Sequence, residues 1–307
     1  MRKDKKTFII AEAGVNHNGS LKKALKLIDV AALAGADAIK FQTFKAERIA
    51  TTFAPKAQYQ KNMVFKKETQ FQMLKKLELT RDMHLKCIQY SKQKKIIFIS
   101  SAFDKDSLIF LKKLNMKFFK VPSGEINNIP YLELLGKFRK KVILSTGMSN
   151  ISEIDKAVKT LVKNGTPKNN IVLLQCTSSY PAPLEEINLK VIDTLKKKFK
   201  LNVGFSDHSL GIIASVAAVA VGAKVIEKHI TLDKNLNGPD HKASLDPNEF
   251  KLMVDNIKIV EKALGDGIKK VTLSEKKNIN IVRKSIVAAK FIKKNDKFSI
   301  KNITCKR

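Results

Sequence analysis

Eight short apolar segments, most of them followed by a segment with helical periodicity, constrain the fold of this 307-residue chain more than any other feature. They are continuous apolar runs, which is typical of parallel strands covered on both faces. The predicted strands are Phe8–Ala11, Ala38–Gln42, Ile96–Ser100, Lys117–Val121, Val142–Ser145, Ile171–Cys176, Asn202–Phe205 and Lys224–His229. Eight strand–helix units in one pass predict an α/β fold, a closed (β/α)8 TIM barrel of about 250 residues. An open doubly wound sheet is the alternative.

Helix boundaries support this reading. Ser20 is a candidate N-cap for a helix that ends near Gly35. Asn150 with Glu153 has the spacing of a capping box, and Pro247 marks another helix start.

Two segments depart from the strand–helix rhythm. Residues 43–80 form a long connection, which predicts either a lid or a helix of its own. From about Lys276 the sequence indicates two short β segments around a KKND turn. We therefore predict a barrel domain over residues 1–275, and a linker with the start of a small β-rich domain over residues 276–307.

The formal net charge of +31 raises the question of nucleic-acid or acidic-membrane binding. Arginine, the usual reader of phosphates and bases, occurs at only six positions, and lysines supply the rest of the charge. The lysines recur at spacings expected of solvated helix faces, as in LKKALK and LKKKFK. We expect no nucleic-acid partner, although the charge could draw anionic substrates toward a site.

Neither a membrane span nor a disulfide framework is predicted. The longest uncharged apolar stretch, Leu210–Ala223, is shorter than the roughly 20 residues that a span requires. No signal peptide is evident, and the three cysteines are far apart. These features favour a reducing cytoplasm.

Polar or charged residues end all eight predicted strands, where a TIM barrel carries its chemistry. Lysines and serines there could donate to a phosphate and a carboxylate; they are Lys40, Lys120, Ser123 and Ser145. Glu12 is a candidate general acid or base. Any one buried lysine or glutamate could instead be half of an internal ion pair, but eight polar strand ends together favour a site.

His208 and His229 follow adjacent predicted strands and can converge on one metal. Two imidazoles without thiolates favour an exchangeable divalent ion, Mn²⁺ first, with Mg²⁺ or Co²⁺ as alternatives. Cys176 is interpreted as a small buried residue, since no neighbour in the sequence lowers its pKa. Neither GxxxxGK[ST] nor GxGxxG occurs, so the sequence supports no nucleotide cofactor.

Several motifs in order resemble the sialic acid synthases, including the N-acetylneuraminate and legionaminic acid synthases, over about residues 7–307. The motifs are AEAGVNHNGS, IKFQTFKAE, FKVPSGEINNIPYL, LSTGM, YPAP, GFSDHSLG, EKHITLDK and GPDHKASLDP. The resemblance implies condensation of phosphoenolpyruvate with N-acetylmannosamine to give N-acetylneuraminate and phosphate. The alkene carbon would attack the aldehyde, water would add to the resulting cationic centre, and phosphate would leave.

The resemblance also implies roles for particular residues. Glu12 matches the catalytic carboxylate, and His208 with His229 match the metal ligands. The phosphoenolpyruvate positions match Lys40, Ser101, Lys120, Ser123, Ser145 and Ser206. The sugar positions match Gln42, Asn62, Glu125, Tyr180, Asp240 and Arg307.

Two features depart from the family pattern. Ser101–Ala102 stands where the family commonly has Thr-Pro, which removes a backbone restraint but keeps a hydroxyl. The family carries a C-terminal antifreeze-like domain that reaches the partner's active site in a swapped dimer, whereas this sequence ends at Arg307. The resemblance therefore implies a truncated antifreeze-like domain and a homodimer weakened by the short C-terminus.

Five alternatives to N-acetylneuraminate synthesis remain open. Legionaminic acid synthase would use 2,4-diacetamido-2,4,6-trideoxymannose. Pseudaminic acid synthase and sugar-phosphate synthases are more remote. An inactive truncated barrel would bind phosphoenolpyruvate and turn over poorly. A basic binding protein would need neither Glu12 nor the histidines.

Overall fold

The computed structural model describes residues 7–55 and 69–307, in which eight parallel strands form a closed barrel in sequence order. The strands are β1 (Phe8–Gly14), β2 (Ala38–Thr43), β3 (Ile97–Ala102), β4 (Phe118–Val121), β5 (Lys141–Ser145), β6 (Ile171–Cys176), β7 (Asn202–Asp207) and β8 (Val225–His229). Strand β1 closes the barrel against β8, with register from Phe8↔Val225 to Glu12↔His229. The predicted TIM barrel is confirmed, and the open sheet is wrong.

Helices surround the barrel in the order that the sequence predicts. They are α1 (Leu21–Ala34), α2 (Ala46–Ile49), α3 (Gln70–Lys76), α4 (Arg81–Gln93), α5 (Lys105–Lys113), α6 (Ile129–Gly136), α7 (Ile151–Lys163), α8 (Val191–Phe199), α9 (Ile213–Ala220) and α10 (Pro247–Leu264). The predicted caps are confirmed: Ser20 caps α1, Gly35 ends it, and Asn150 with Glu153 forms a capping box. The long connection after β2 contains α2 and α3.

Four predicted strands run further than expected; β2 continues to Thr43 and β3 to Ala102. Strand β1 continues to Gly14 and pairs with β2 through Glu12↔Lys40 and Gly14↔Phe41. Strand β7 continues to Asp207. Each extension contains a polar side chain, such as Glu12 in β1 and Ser206 in β7, so the apolar pattern stops although the ladder continues into the polar end of the barrel.

The hydrophobic core has two layers, because alternate side chains of each strand face the surrounding helices or the barrel interior. Residues that face outward pack against the helices, as Ile9 and Ala11 of β1 do. Inward-facing residues form a separate cluster inside the barrel: Ile10, Ala38, Ile99, Ile143, Leu174 and Val225. This inner layer fills the barrel with apolar side chains, as TIM barrels require.

The chain divides into two compact units, 1–263 and 264–307. The second unit contains two short helices, α11 (Leu273–Lys276) and α12 (Ile279–Val282). Its strands β9 (Ser285–Ala288) and β10 (Ile303–Lys306) pair antiparallel, which confirms the two predicted β segments. The domain division at residue 275 stays a prediction. Among the helices in the described part of the chain, none is long and apolar enough to cross a membrane.

Candidate active site

The candidate site is the next inward-facing layer above the apolar inner cluster. Side chains two residues apart on a strand share a face, so each residue of that cluster is followed two positions later by another inward residue. The pairs are Ile10 with Glu12, Ala38 with Lys40, Ile99 with Ser101, Ile143 with Ser145, Leu174 with Cys176, and Val225 with Glu227. The fold therefore gathers these polar groups at the carboxyl end of the barrel.

Glu12 and Lys40 form a buried ion pair at the centre of this layer. Lys40 Nζ lies 3.0 Å from Glu12 Oε2 and donates to Ser101 Oγ at 3.1 Å. Gln42 Nε2 donates to the second carboxylate oxygen, Glu12 Oε1, at 3.3 Å. Three of the predicted substrate-binding residues thus contact one another or the candidate catalytic carboxylate directly.

Glu227 is a functional candidate to which the sequence analysis assigned no role. Its Oε1 lies 3.2 Å from Lys120 Nζ and 3.6 Å from Lys40 Nζ, and it accepts from Ser206 Oγ at 3.0 Å. It therefore links three residues predicted to bind phosphoenolpyruvate. Its position two residues before His229 was the available signal, because both then face inward on β8.

The four buried charges have displaced pKa values. Burial, together with the neighbouring Glu227, raises the pKa of Glu12 to about 7 although Lys40 opposes the change. Burial would also raise the pKa of Glu227, but Lys120 and Lys40 outweigh it and hold the value at about 2. Burial lowers the pKa of Lys120, whereas Glu12 and Glu227 overcome burial and raise the pKa of Lys40. The layer thus contains one carboxyl group with a raised pKa and one with a lowered pKa.

Hydroxyl groups on the opposite side of the cavity complete the polar layer. Ser145 Oγ is buried and has no hydrogen-bond partner within the described residues, so it is available to a ligand. Ser123 Oγ accepts from Gly147 N–H at 3.1 Å. A Cβ on Gly147 would lie 2.3 Å from Ser178 Oγ and 2.8 Å from Ser123 Oγ, so only glycine permits this approach.

The two histidines predicted as metal ligands lie together at the ends of β7 and β8. Their ring centroids are 5.6 Å apart, and Tyr180 packs on both, at 4.2 Å from His208 and 5.8 Å from His229. His208 Nδ1 donates to the carbonyl oxygen of Thr177 at 2.7 Å, which leaves Nε2 for another partner. Burial holds the pKa of His229 well below its usual value, so this ring is neutral.

These two rings fit a weakly held divalent ion. His229 Nδ1 is a buried nitrogen with no hydrogen-bond partner in the described part of the chain, as a ligand position would leave it. Residues 7–55 and 69–307 contain no group of three or more His, Cys, Asp or Glu placed to hold a metal. Two protein donors with open positions suit an exchangeable ion rather than a structural zinc.

Most of the predicted site residues line one cavity of about 380 Å³. They are Glu12, Lys40, Gln42, Ser101, Lys120, Ser123, Ser145, Tyr180, Ser206, His208, His229 and Asp240. Glu125 lies on the turn after β4, half-buried, and accepts from Asn128 Nδ2 at 2.6 Å rather than lining this cavity. Asn62 lies outside the described residues, and Arg307 belongs to the second unit.

Gly14 occupies a position where three of these residues meet. Its φ of +52° lies in the left-handed region. A Cβ here would lie 3.3 Å from Gln42 Nε2 and 3.4 Å from both Asp240 Oδ2 and Glu12 Oε1. This role of Gly14 could not be predicted from the sequence, because it depends on contacts between distant strands.

One side of the cavity is an apolar wall, formed by Val15, Met73, Leu74, Leu77 and Phe103. These side chains belong to a hydrophobic cluster separate from the two core layers. None of them was predicted to line the site, since most come from the connection after β2 and from the loop after β3.

Cys176 is buried, as predicted, but the prediction that nothing lowers its pKa is wrong. The sequence suggested no neighbour that lowers its pKa, but Cys176 Sγ lies 3.8 Å from His208 Nδ1. Burial would raise the pKa of the thiol, yet His208 and Lys120 outweigh it and lower the pKa. In return the thiol raises the pKa of His208 against the effect of burial.

Comparison with known proteins places the chain in a family of sugar-acid synthases. The NeuB family matches residues 27–269, and the chain belongs to this family. It is 56% identical over 303 residues to the N,N'-diacetyllegionaminic acid synthase of Campylobacter jejuni, covering 99% of this chain and 91% of that protein. It is 45% identical over 294 residues to the protein of the same name from Legionella pneumophila, covering 95% and 83%.

A solved structure gives the same picture of the fold. The N-acetylneuraminic acid (sialic acid) synthetase of Leptospira borgpetersenii, crystallised with citrate, superimposes with a TM-score of 0.79 at 37% identity. The match covers 91% of this chain and 92% of that one. The resemblance to the sialic acid synthases is thereby confirmed.

Proposed function

We propose that this protein condenses phosphoenolpyruvate with 2,4-diacetamido-2,4,6-trideoxymannose to form N,N'-diacetyllegionaminic acid and phosphate. One observation carries the proposal: the candidate carboxylate, lysines, serines and histidines line a single barrel-end cavity. The relatives named above support the legionaminic product over N-acetylneuraminate, which the sequence analysis put first. N-acetylneuraminate synthesis is the second candidate, supported by the Leptospira structure.

The lysine and serine side of the cavity would bind phosphoenolpyruvate. Lys40 and Lys120 are cationic donors, and unpartnered Ser145 Oγ offers a further hydrogen bond. The remaining serine hydroxyls assigned to this substrate are those of Ser101, Ser123 and Ser206. An anion entering here would compete with Glu12 and Glu227 for the two lysines.

The sugar would lie beyond phosphoenolpyruvate, with its aldehyde toward Glu12. Carbon 3 of phosphoenolpyruvate forms a bond to the aldehyde carbon, and the aldehyde oxygen takes a proton. Water adds to carbon 2 and loses one proton; the new hydroxyl then gives its proton to the departing phosphate as the C–O bond to phosphate breaks and the keto group forms. With a pKa of about 7, Glu12 can donate the proton that the aldehyde oxygen takes and accept the proton that the water loses.

His208 and His229 would hold the divalent ion, with Mn²⁺ first and Mg²⁺ or Co²⁺ as alternatives. When bound, the metal would supply Lewis-acid polarisation of the sugar aldehyde. Gln42, Tyr180 and Asp240 are the described residues assigned to the sugar in this cavity. Roles for Asn62, Glu125 and Arg307, homodimer formation and a cytoplasmic location stay predictions.

Phosphate release from phosphoenolpyruvate tests the function. The full chain is assayed with Mn²⁺ and, separately, with the trideoxy sugar and with N-acetylmannosamine. We expect release with the trideoxy sugar, and loss of that release in His229→Ala. Faster release with N-acetylmannosamine would favour the second candidate. A folded protein that binds phosphoenolpyruvate but releases no phosphate with either sugar would support the inactive-barrel alternative.

A further inference from the structure

The apolar wall of the cavity has a chemical character that the polar layer does not explain. Met73 and Leu77 are buried, and Leu74 and Phe103 are partly buried in the same cluster. Phe103 also packs edge-on against Phe44, with ring centroids 6.2 Å apart. The wall is thus a packed surface, held in place from behind, and it faces the cavity that contains Glu12 and Lys40.

Helix α3 presents only apolar side chains to this cavity. Its polar residues are engaged elsewhere: Gln72 forms a capping box with Thr69, and Lys75 Nζ lies 3.3 Å from Glu78 Oε1 and also pairs with Glu47. The spacing of Met73, Leu74 and Leu77 places these residues along one side of the helical turn. A ligand group that touches this side therefore meets no hydrogen-bond donor or acceptor from it.

A hydroxyl or phosphate against such a surface loses hydrogen bonds to water and gains none. The lysines among the described cavity residues, Lys40 and Lys120, belong to the polar layer and pair with Glu12 and Glu227. Methyl groups, in contrast, gain from leaving water at this surface. The wall therefore favours a sugar whose end is deoxygenated and unphosphorylated.

We propose that the apolar wall is the specificity determinant for the C6 methyl end of the sugar, so that it distinguishes a 6-deoxy substrate from its 6-hydroxy counterpart. The proposal rests on the proposed function, because it requires an open-chain sugar in this cavity. It assigns to Leu74 and Phe103 a role that concerns sugar choice and not the bond-forming chemistry.

The test compares kcat/KM for two sugars that differ at one atom: 2,4-diacetamido-2,4,6-trideoxymannose and its 6-hydroxy counterpart. A hydrophobic pocket can reject an added hydroxyl by about ten- to a hundredfold. We expect the wild type to prefer the 6-deoxy sugar within that range. Leu74→Gln and, with less disturbance of packing, Phe103→Tyr should each reduce the preference by at least about fivefold.

Leu25→Gln is the matched control. Leu25 is partly buried on the barrel exterior, so this substitution makes the same chemical change outside the cavity. It should leave the sugar preference unchanged. If both wall variants keep the wild-type preference while turning over the 6-deoxy sugar, the wall does not read C6 and the inference is wrong, although the function stands. If the wild type uses neither sugar, the proposed function fails and the inference with it.

Discussion

Lys120 and Glu227 form an ion pair inside the barrel, with Nζ 3.2 Å from Oε1 and both side chains almost fully buried. Burial lowers the pKa of Lys120, and Glu227 is the strongest influence in the opposite direction. The carboxylate therefore helps to keep this lysine charged, and a charged lysine is what an anionic substrate requires.

Glu227→Gln should shift the alkaline limb of the pH profile for kcat/KM of phosphoenolpyruvate to lower pH. Without the carboxylate, the pKa of Lys120 falls further, so the lysine loses its proton at a lower pH than in the wild type. The profile of kcat/KM against pH gives the measurement. Asp155→Asn removes a carboxylate from a surface pair with Lys159 and should leave the profile unchanged. An unmoved alkaline limb in Glu227→Gln would contradict the assignment.

Lys228→Met should lower the free energy of unfolding by about 3–5 kcal/mol, because it leaves a buried carboxylate without its partner. Lys228 Nζ is buried, 3.0 Å from Asp207 Oδ2, and donates to the carbonyl oxygen of Ser209 at 2.6 Å. Urea unfolding measures the effect. Lys197→Met, which breaks an exposed pair with Asp193, should cost less than about 1 kcal/mol. Equal losses of unfolding free energy in the two variants would contradict the expectation that the buried pair contributes more than the exposed pair.

Gly14→Ala should reduce kcat/KM more than its stability loss explains. A positive φ costs an alanine about 1–2 kcal/mol, and its Cβ would also press on Gln42, Asp240 and Glu12. Gly222→Ala is the control: Gly222 also has a positive φ, but no described heavy atom lies within 4 Å of the added Cβ. Both variants should unfold more easily, whereas only Gly14→Ala should lose activity on kinetic assay. Full activity in Gly14→Ala would show that the crowding is harmless.

Acidification should destabilise the protein between about pH 6.5 and pH 4. Burial lowers the pKa of His84 to about 4, so the folded state resists a proton that the unfolded state takes up near pH 6.5. Stability is fully present above pH 6.5 and is lost as the pH falls, by up to about 3 kcal/mol for this residue. Urea unfolding across this range should show a shallower pH dependence in His84→Gln. If the unfolding free energies of the wild type and His84→Gln change with pH in parallel, His84 does not contribute to the loss of stability in acid.

Much of the polar layer could be predicted from the sequence, because side chains alternate between the two faces of each strand. Glu12, Lys40 and Ser101 each follow an apolar inward residue by two positions, and the sequence shows this spacing directly. Where several polar residues end one strand, the phase of the alternation decides which belong to the site. Ser100 faces outward to Thr43 Oγ1 at 2.7 Å, and Lys228 faces outward to Asp207.

Contacts between distant segments could not be predicted in the same way. Glu227 was visible at a strand end, but its link to Lys40 and Lys120 depends on barrel closure. Leu74 and Phe103 have no periodic relation to the strands, so nothing local indicates that they face Glu12. The sequence thus predicts the chemistry of the cavity better than the shape of its walls.

The apolar wall comes mainly from outside the eight strands, whereas the charged layer comes from the strands themselves. The apolar wall and the charged layer can therefore change independently during evolution. If the wall selects the sugar as proposed, exchange of the segment that carries Met73 and Leu74 alters substrate choice and leaves Glu12, Lys40 and Lys120 in register. On the same proposal, barrels that share one set of reacting residues can diverge in the sugar they accept.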